Sequence, residues 1–295
     1  LVSIVYNGIM TDEIEAKIVV TGGCGFIGSH LVDRLSEIGF HVYVVDDMRQ
    51  GKYVIDRPNV EYFFEDVSTC KLTEKITRPL AIMHLANSPR VRRSLEEPRD
   101  TIDNNITTTT AVADWARHWH TYLFFATSSS TQYKDSVNPY TWSKAACEGI
   151  LELYKELYDL KYMKMFFYNV YGPGEADYGP YSTVIRKFKK DYLKGNPLTI
   201  FGNGSKERDF THVDDVVQGI LQLLVDSDHH EEVHFGKGDP KTILSIAQAF
   251  NTSIVHSFDK PGEAQTTICK KPYIECPNDV FSYIDNWLKE NTIDN

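Results

Sequence analysis

Residues 17–35 read KIVVTGGCGFIGSHLVDRL, and this stretch decides the fold. A short β-branched run leads into Gly22, Gly25 and Gly28 at G-x-x-G-x-x-G spacing, and the amphipathic stretch SHLVDRLSEIG follows, closed by Gly39. A strand that turns sharply into a helix on such glycines brings the helix N-terminus, with its free backbone amides, up to a pyrophosphate. One glycine permits the tight turn, the next the close approach of backbone to phosphate, and the third the close packing of helix on strand. An ordinary strand-to-helix turn can carry the same letters, so the residues downstream have to discriminate.

They do so at the next strand. HVYVVDD ends in Asp46, about 20 residues beyond the glycines, where an acid accepts hydrogen bonds from an adenosine ribose and repels a 2′-phosphate. NAD is therefore expected rather than NADP. Arg49 stands close by; a 2′-phosphate would want an arginine, but the side chain reads more simply as a solvated loop charge. Asp66 closes VEYFFED, where it can accept from the adenine amino group or serve only as a polar turn residue.

Five β-rich runs, KIVVTG, HVYVVDD, VEYFFED, AIMHLA and TYLFFATSS, alternate with helical stretches, the longer of which run from Asp100 to Trp119 and from Tyr140 to Tyr158. This alternation predicts an α/β fold, a Rossmann-type doubly wound parallel sheet. After KYMKMFFYNVYGPG the texture turns to Gly-, Pro- and Tyr-rich loops. The expected organisation is an N-terminal extension over 1–16, an NAD-binding domain over 17–170, and a smaller C-terminal substrate-binding lobe over 171–295, interleaved with the first domain. The extension contains LVSIVYNGI, too short to span a bilayer, and Met10, itself a potential start.

Composition narrows the function. The chain has 295 residues, a net charge of −10 and a pI near 5.5, which argues against a nucleic-acid surface. No run of about 18 apolar residues exists, so no membrane partner is expected. Five scattered cysteines without a C-x-x-C pair predict no metal site and a reduced, cytoplasmic setting.

The chemistry concentrates in YTWSK. Tyr140 and Lys144 share one helix face, one turn apart, so an ammonium can bring the phenol, ordinarily near about 10, towards working pH as a general base. Eleven residues earlier Ser129, in ATSSSTQY, can bond the same substrate oxygen; a serine-rich strand end can also be a turn bonding its own backbone.

Together these residues resemble the extended short-chain dehydrogenase/reductases, including the UDP-glucose 4-epimerases. The resemblance runs from about Lys17 to Glu263 and takes in HLANSPRVRRSLEEP, IDNNITTT, YNVYGPG, LTIFGNGSKERDFTHVDDV and KPGE. It implies that Gly22, Gly25, Phe26, Ile27, Gly28, Asp46, Asp66, Val67, Leu85, Ala86, Asn105, Tyr140 and Lys144 hold NAD. It implies catalysis by Ser129, Tyr140 and Lys144. It further implies a nucleotide-sugar substrate whose diphosphate meets Asn169, Arg208 and Lys260, and a homodimer built on the two long helices, which carry Ile150, Leu151 and Leu153. Thr267 falls where relatives limit bulk at C2 of the sugar.

Several positions depart from the pattern. The loop between Tyr133 and Tyr140 is short, Phe166 stands where an arginine is usual, and Lys260 replaces a second diphosphate arginine. A lysine keeps the charge but loses the bidentate grip. Dehydrating relatives carry an acidic pair where this chain has Ser130 and Thr131, and decarboxylating relatives a glutamate at the position of Thr131. The expected activity is accordingly epimerisation at C4 through a 4-keto sugar. A reductase, dehydratase or other isomerase of the same superfamily is the alternative, and a non-catalytic dinucleotide-binding regulator is the alternative of another class.

Overall fold

The computed structural model describes residues 16–175, 182–226, 230–259 and 262–291. Lys260 and nearly all of the expected extension lie outside the described residues. The strands are β1 (Lys17–Thr21), β2 (His41–Val45), β3 (Val60–Phe63), β4 (Ala81–His84), β5 (Tyr122–Ser128), β6 (Tyr162–Phe167), β7 (Val170–Tyr171), β8 (Leu198–Phe201), β9 (Glu207–Arg208), β10 (Thr211–His212), β11 (Glu232–Phe235), β12 (Lys241–Thr242), β13 (Ile254–Ser257) and β14 (Thr266–Thr267). The helices are α1 (Phe26–Glu37), α2 (Leu72–Lys75), α3 (Val91–Glu96), α4 (Pro98–Trp119), α5 (Pro139–Tyr158), α6 (Val184–Leu193), α7 (Val213–Leu223), α8 (Ile243–Gln248) and α9 (Val280–Glu290).

Seven strands form one sheet in the order β11-β6-β5-β4-β1-β2-β3, every neighbouring pair parallel. The five expected strands are all in it. Ile18, Val19 and Val20 are fully buried, as a strand covered by helices on both faces requires. Helices α1 and α7 cover one face, where Leu31, Val32 and Leu35 meet Val216 and Ile220. On the other face α4 and α5 bring Val112, Trp115, Ala116, Cys147 and Leu151 onto the sheet. A third cluster, including Tyr171, Phe188, Ile200, Phe250 and Ile284, forms the core of the smaller lobe.

Two features of this topology place the site. After β1 the chain builds β2 and β3 on one side of it and then crosses to β4 on the other, so the loops at the C-terminal ends of β1 and β4 diverge and open a crevice. The chain also returns from the smaller lobe to add α7 and β11 to the main sheet, which ties the two cores together.

Of the residues expected on a dimer face, Leu151 is fully buried in the sheet-facing core and cannot meet a second subunit. Leu153 is half exposed, and Trp142 and Leu157 on the same helix are exposed as well.

Candidate active site

The glycine turn has the shape that a diphosphate needs. Gly22 has φ +72°, and a Cβ there would stand 2.8 Å from the backbone of Leu85 and Ala86. A Cβ on Gly28 would fall 2.1 Å from the carbonyl oxygen of Gly22. Gly25 caps α1 without a side chain, and no acid occupies the first helical turn, so the positive end of the helix is open to an anion. These are the properties of a cradle for the NAD pyrophosphate, and the residues present fit that cofactor.

The turn opens into a single cleft of about 560 Å³. Its walls include Gly22, Gly25, Phe26, Ile27, Gly28, Asp46, Asp66, Val67, Leu85 and Ala86 at one end, and Ser129, Tyr140, Lys144, Asn169 and Arg208 towards the other. Asp46 is buried beneath the turn, accepting from the amides of Cys24 (3.0 Å) and Met48 (2.8 Å). Burial nonetheless keeps its carboxyl above the usual range. Asp66 accepts from the amide and hydroxyl of Ser68 at 2.8 and 2.7 Å; burial acts against its ionised form, but these bonds and Arg49 win and lower it.

Asn105 does not line the cleft, contrary to its expected place among the cofactor's contacts. It is fully buried behind the wall, where it accepts from the amide of Ser88 (2.6 Å) and donates to the hydroxyl of Ser143 (2.9 Å). It holds the loop after β4 against α5.

The end of the cleft that holds Tyr140 and Lys144 is set by the start of α5. Asn138 accepts from the amide of Thr141 at 2.9 Å and Pro139 opens the helix, so Tyr140 lies in the first turn and Lys144 one turn later. Both are buried, at 8% and 4% exposure, yet both face the cleft. The Lys144 ammonium donates to Asn87 Oδ1 and to the carbonyl of Ala126, each at 2.6 Å. Burial lowers it to about 8. Burial also raises the Tyr140 phenol, against which the hydroxyl of Ser128 and the charge of Arg90 pull it down.

The serine run resolves unevenly. Ser128, not singled out in the sequence, is the hydroxyl that pulls the Tyr140 phenol down against burial, and its own oxygen is bonded to that of Ser130 at 2.8 Å, while Ser129 lines the same cleft one residue on. Three consecutive serines gave no signal for this choice, because the strand ends and a 3₁₀ turn begins between them. An acid also reaches this loop from a distant part of the chain. Glu148 of α5 accepts from Thr127 (2.6 Å) and Thr131 (3.2 Å), but it sits behind the loop and does not line the cleft.

At the far end Asn169 donates to Thr267 Oγ1 (3.2 Å) and to the carbonyl of Asp209 (3.3 Å). Arg208 donates to Glu263 at 3.1 Å, a contact between two walls of the cleft. Thr267 also lines the cleft. Phe166 is buried in the sheet and stacked on His234, ring centroids 4.7 Å apart, so the position that departs from the family pattern is a packing position here. Glu175 was also missed by the sequence: it lines the cleft, it is only 5% exposed, and burial raises its carboxyl to about 7.

A doubly wound sheet, a glycine cradle at its switch point and a buried Tyr-Lys pair in the same cleft define an NAD-binding enzyme of the extended short-chain dehydrogenase/reductase type. The model of the NAD dependent epimerase/dehydratase family matches residues 18–236, and the chain belongs to that family. It is 29% identical, over 93% of its length and 99% of the relative's, to a putative UDP-glucose 4-epimerase of Methanocaldococcus jannaschii. It is 28% identical, over 84% of its length and 83% of the relative's, to a UDP-N-acetyl-alpha-D-glucosaminuronate decarboxylase of Bacillus cytotoxicus. Among solved structures, the UDP-glucose 4-epimerase of Thermotoga maritima with UDP-glucose superposes with a TM-score of 0.82 at 26% identity, covering 93% of this chain and 99% of that one. Among the described residues no helix is long and apolar enough to cross a membrane.

Proposed function

We propose that this enzyme inverts C4 of a nucleotide-diphosphate sugar of the UDP-glucose/UDP-galactose type. The observation that carries this reading is the composition of the wall around Tyr140. The loop beside it presents the hydroxyls of Ser128, Ser129 and Ser130, with Lys144 one turn along the helix, and the acid that bonds this loop, Glu148, is turned away behind it. Dehydration or decarboxylation would call for a carboxylate in that loop; exchange of a proton and a hydride at one carbon does not.

Bound NAD would supply the acceptor, and then the donor, of the C4 hydride. Tyr140, as phenolate, takes the proton of the 4-hydroxyl and later returns it, acting as base and then acid at one oxygen. Ser128 and Ser129 would hold that oxygen by hydrogen bonds. Lys144 holds positive charge beside the phenol, its position fixed by Asn87 and Ala126. Arg208 and Asn169 would grip the diphosphate, the guanidinium exchanging Glu263 for phosphate oxygens. Lys260 would add a second positive charge to that grip.

The exposed side chains of Trp142, Leu153 and Leu157 on α5 support a homodimer that covers this helix, and five free thiols suit a reducing, cytoplasmic setting.

The test is the Tyr140→Phe variant, assayed by NMR on a panel of UDP, dTDP, GDP and CDP sugars. C4 inversion is expected for the wild type, and a loss of about 10²- to 10⁴-fold for the variant. No inversion of any sugar by the wild type, or full turnover by the variant, overturns the assignment.

A further inference from the structure

The loop after β2 is held in one shape by its own side chains. Met48 has φ +60°, a left-handed conformation that a methionine seldom adopts. Asp46 takes the amide of Met48 at 2.8 Å, and Asp47 takes the amide of Arg49 at 2.9 Å. The amides of Lys52 and Tyr53 donate to the carbonyl of Cys24 at 2.8 and 3.1 Å, which seats the loop on the glycine turn. Strain retained in a loop that several bonds over-determine is a reason to ask what the loop presents.

It presents Arg49. The guanidinium donates to Asp47 of its own loop, to Asp66 after β3 at 3.3 Å, and to Asn104 of α4 at 2.9 Å. These four residues come from three segments and all line the cleft, at the end marked by Asp46 and Asp66. The Arg49 side chain is 50% exposed, so the bridge lies at the rim of the cleft and not on its floor. A planar fork can bond partners on three segments at once, which an ammonium does poorly.

We propose that Arg49 is a clasp over the adenosine end of the NAD site, which slows release of the cofactor and does not serve as a 2′-phosphate receptor. The guanidinium already stands between two carboxylates, Asp47 and Asp66, and a third, Asp46, lies under the same loop. A 2′-phosphate would have to displace carboxylates and then sit among them, which like-charge repulsion opposes. NAD leaves when the bonds to Asp66 and Asn104 open. The inference rests on NAD binding, a property of the family, and not on the C4 chemistry, so each can fail alone.

The experiment loads the full chain with NAD, transfers it to NAD-free buffer, and follows bound NAD with time for the wild type, Arg49→Ala, Arg49→Lys and Asn104→Ala. NADP affinity is measured on the same proteins by competition. Arg49→Ala is expected to release NAD about fivefold faster, the scale of losing a partly exposed charged network, with smaller accelerations for the other two and no fall in NADP affinity. Should Arg49→Ala fail to fold, Arg49→Lys and Asn104→Ala decide in its place. Release within about twofold of the wild type in the folded variants overturns the clasp. So does a loss of NADP affinity larger than the loss of NAD affinity, which would make Arg49 a phosphate receptor.

Discussion

The Lys144 ammonium lies 2.6 Å from the amide oxygen of Asn87, so the helix that carries Tyr140 and Lys144 is fastened to the loop after β4. The bond orients the charge, yet burial still dominates and holds the group near about 8.

This has a consequence for stability. A lysine lowered on folding favours the neutral form in the native state. Between about 8 and the ordinary lysine range of about 10.4, the unfolded chain therefore binds more protons, and stability rises with pH. Below that window both states are charged and the full penalty is present. In NAD-free protein, the unfolding free energy of the wild type should gain on that of Lys144→Met by about 2 kcal/mol from pH 8 to pH 10. Urea titrations at several pH values measure this, and a difference flat in pH would contradict it. Asn87→Ala, by removing an acceptor of the charged form, should move the window to lower pH.

Ser128 is the hydroxyl that opposes the effect of burial on Tyr140. Ser128→Ala should therefore raise the phenol further. The acid limb of the kcat/KM profile should move to higher pH, with a loss of roughly 10-fold or more at neutral pH. Ser129→Ala, assayed in parallel on the same sugar nucleotide, should lower turnover without moving that limb. If the pH shift follows Ser129 instead, Ser128 is not the hydroxyl that tunes Tyr140.

Glu175 has the opposite sign from Lys144. Burial raises its carboxyl to about 7, so the folded state binds its proton more tightly than the unfolded chain does. The stability this contributes is fully present below the ordinary glutamate range of about 4.3 and is lost as pH rises through the folded value. Glu175→Gln should be more stable than the wild type by a few kcal/mol at pH 8, with the advantage shrinking towards pH 5. Thermal melts across that range test it, and a constant advantage would mean that Glu175 stays ionised.

Much of this was legible in the chain. Strand β1 could be read because a fully buried parallel strand must be continuously apolar, and the glycines because a Cβ on Gly22 or Gly28 would strike backbone. Tyr140 and Lys144 could be paired because a helix alone fixes a four-residue spacing. Asp46 followed from its place at the end of the second strand.

What the sequence could not determine was every relation that depends on how distant segments meet. Which of three adjacent serines acts on Tyr140 depends on where β5 gives way to a 3₁₀ turn. That Asn105 supports the wall and does not line it depends on the packing of α4 against α5, and the same packing buries Leu151 while Leu153 faces outward. Arg49 shows the limit most clearly. Its partner Asn104 is 55 residues away, and only the sheet order, which places the ends of β2 and β3 beside α4, makes a loop charge into a bridge across the cleft. Local periodicity and spacing set the elements and their chemistry; long-range packing set which side chains face the cleft and which stand behind it.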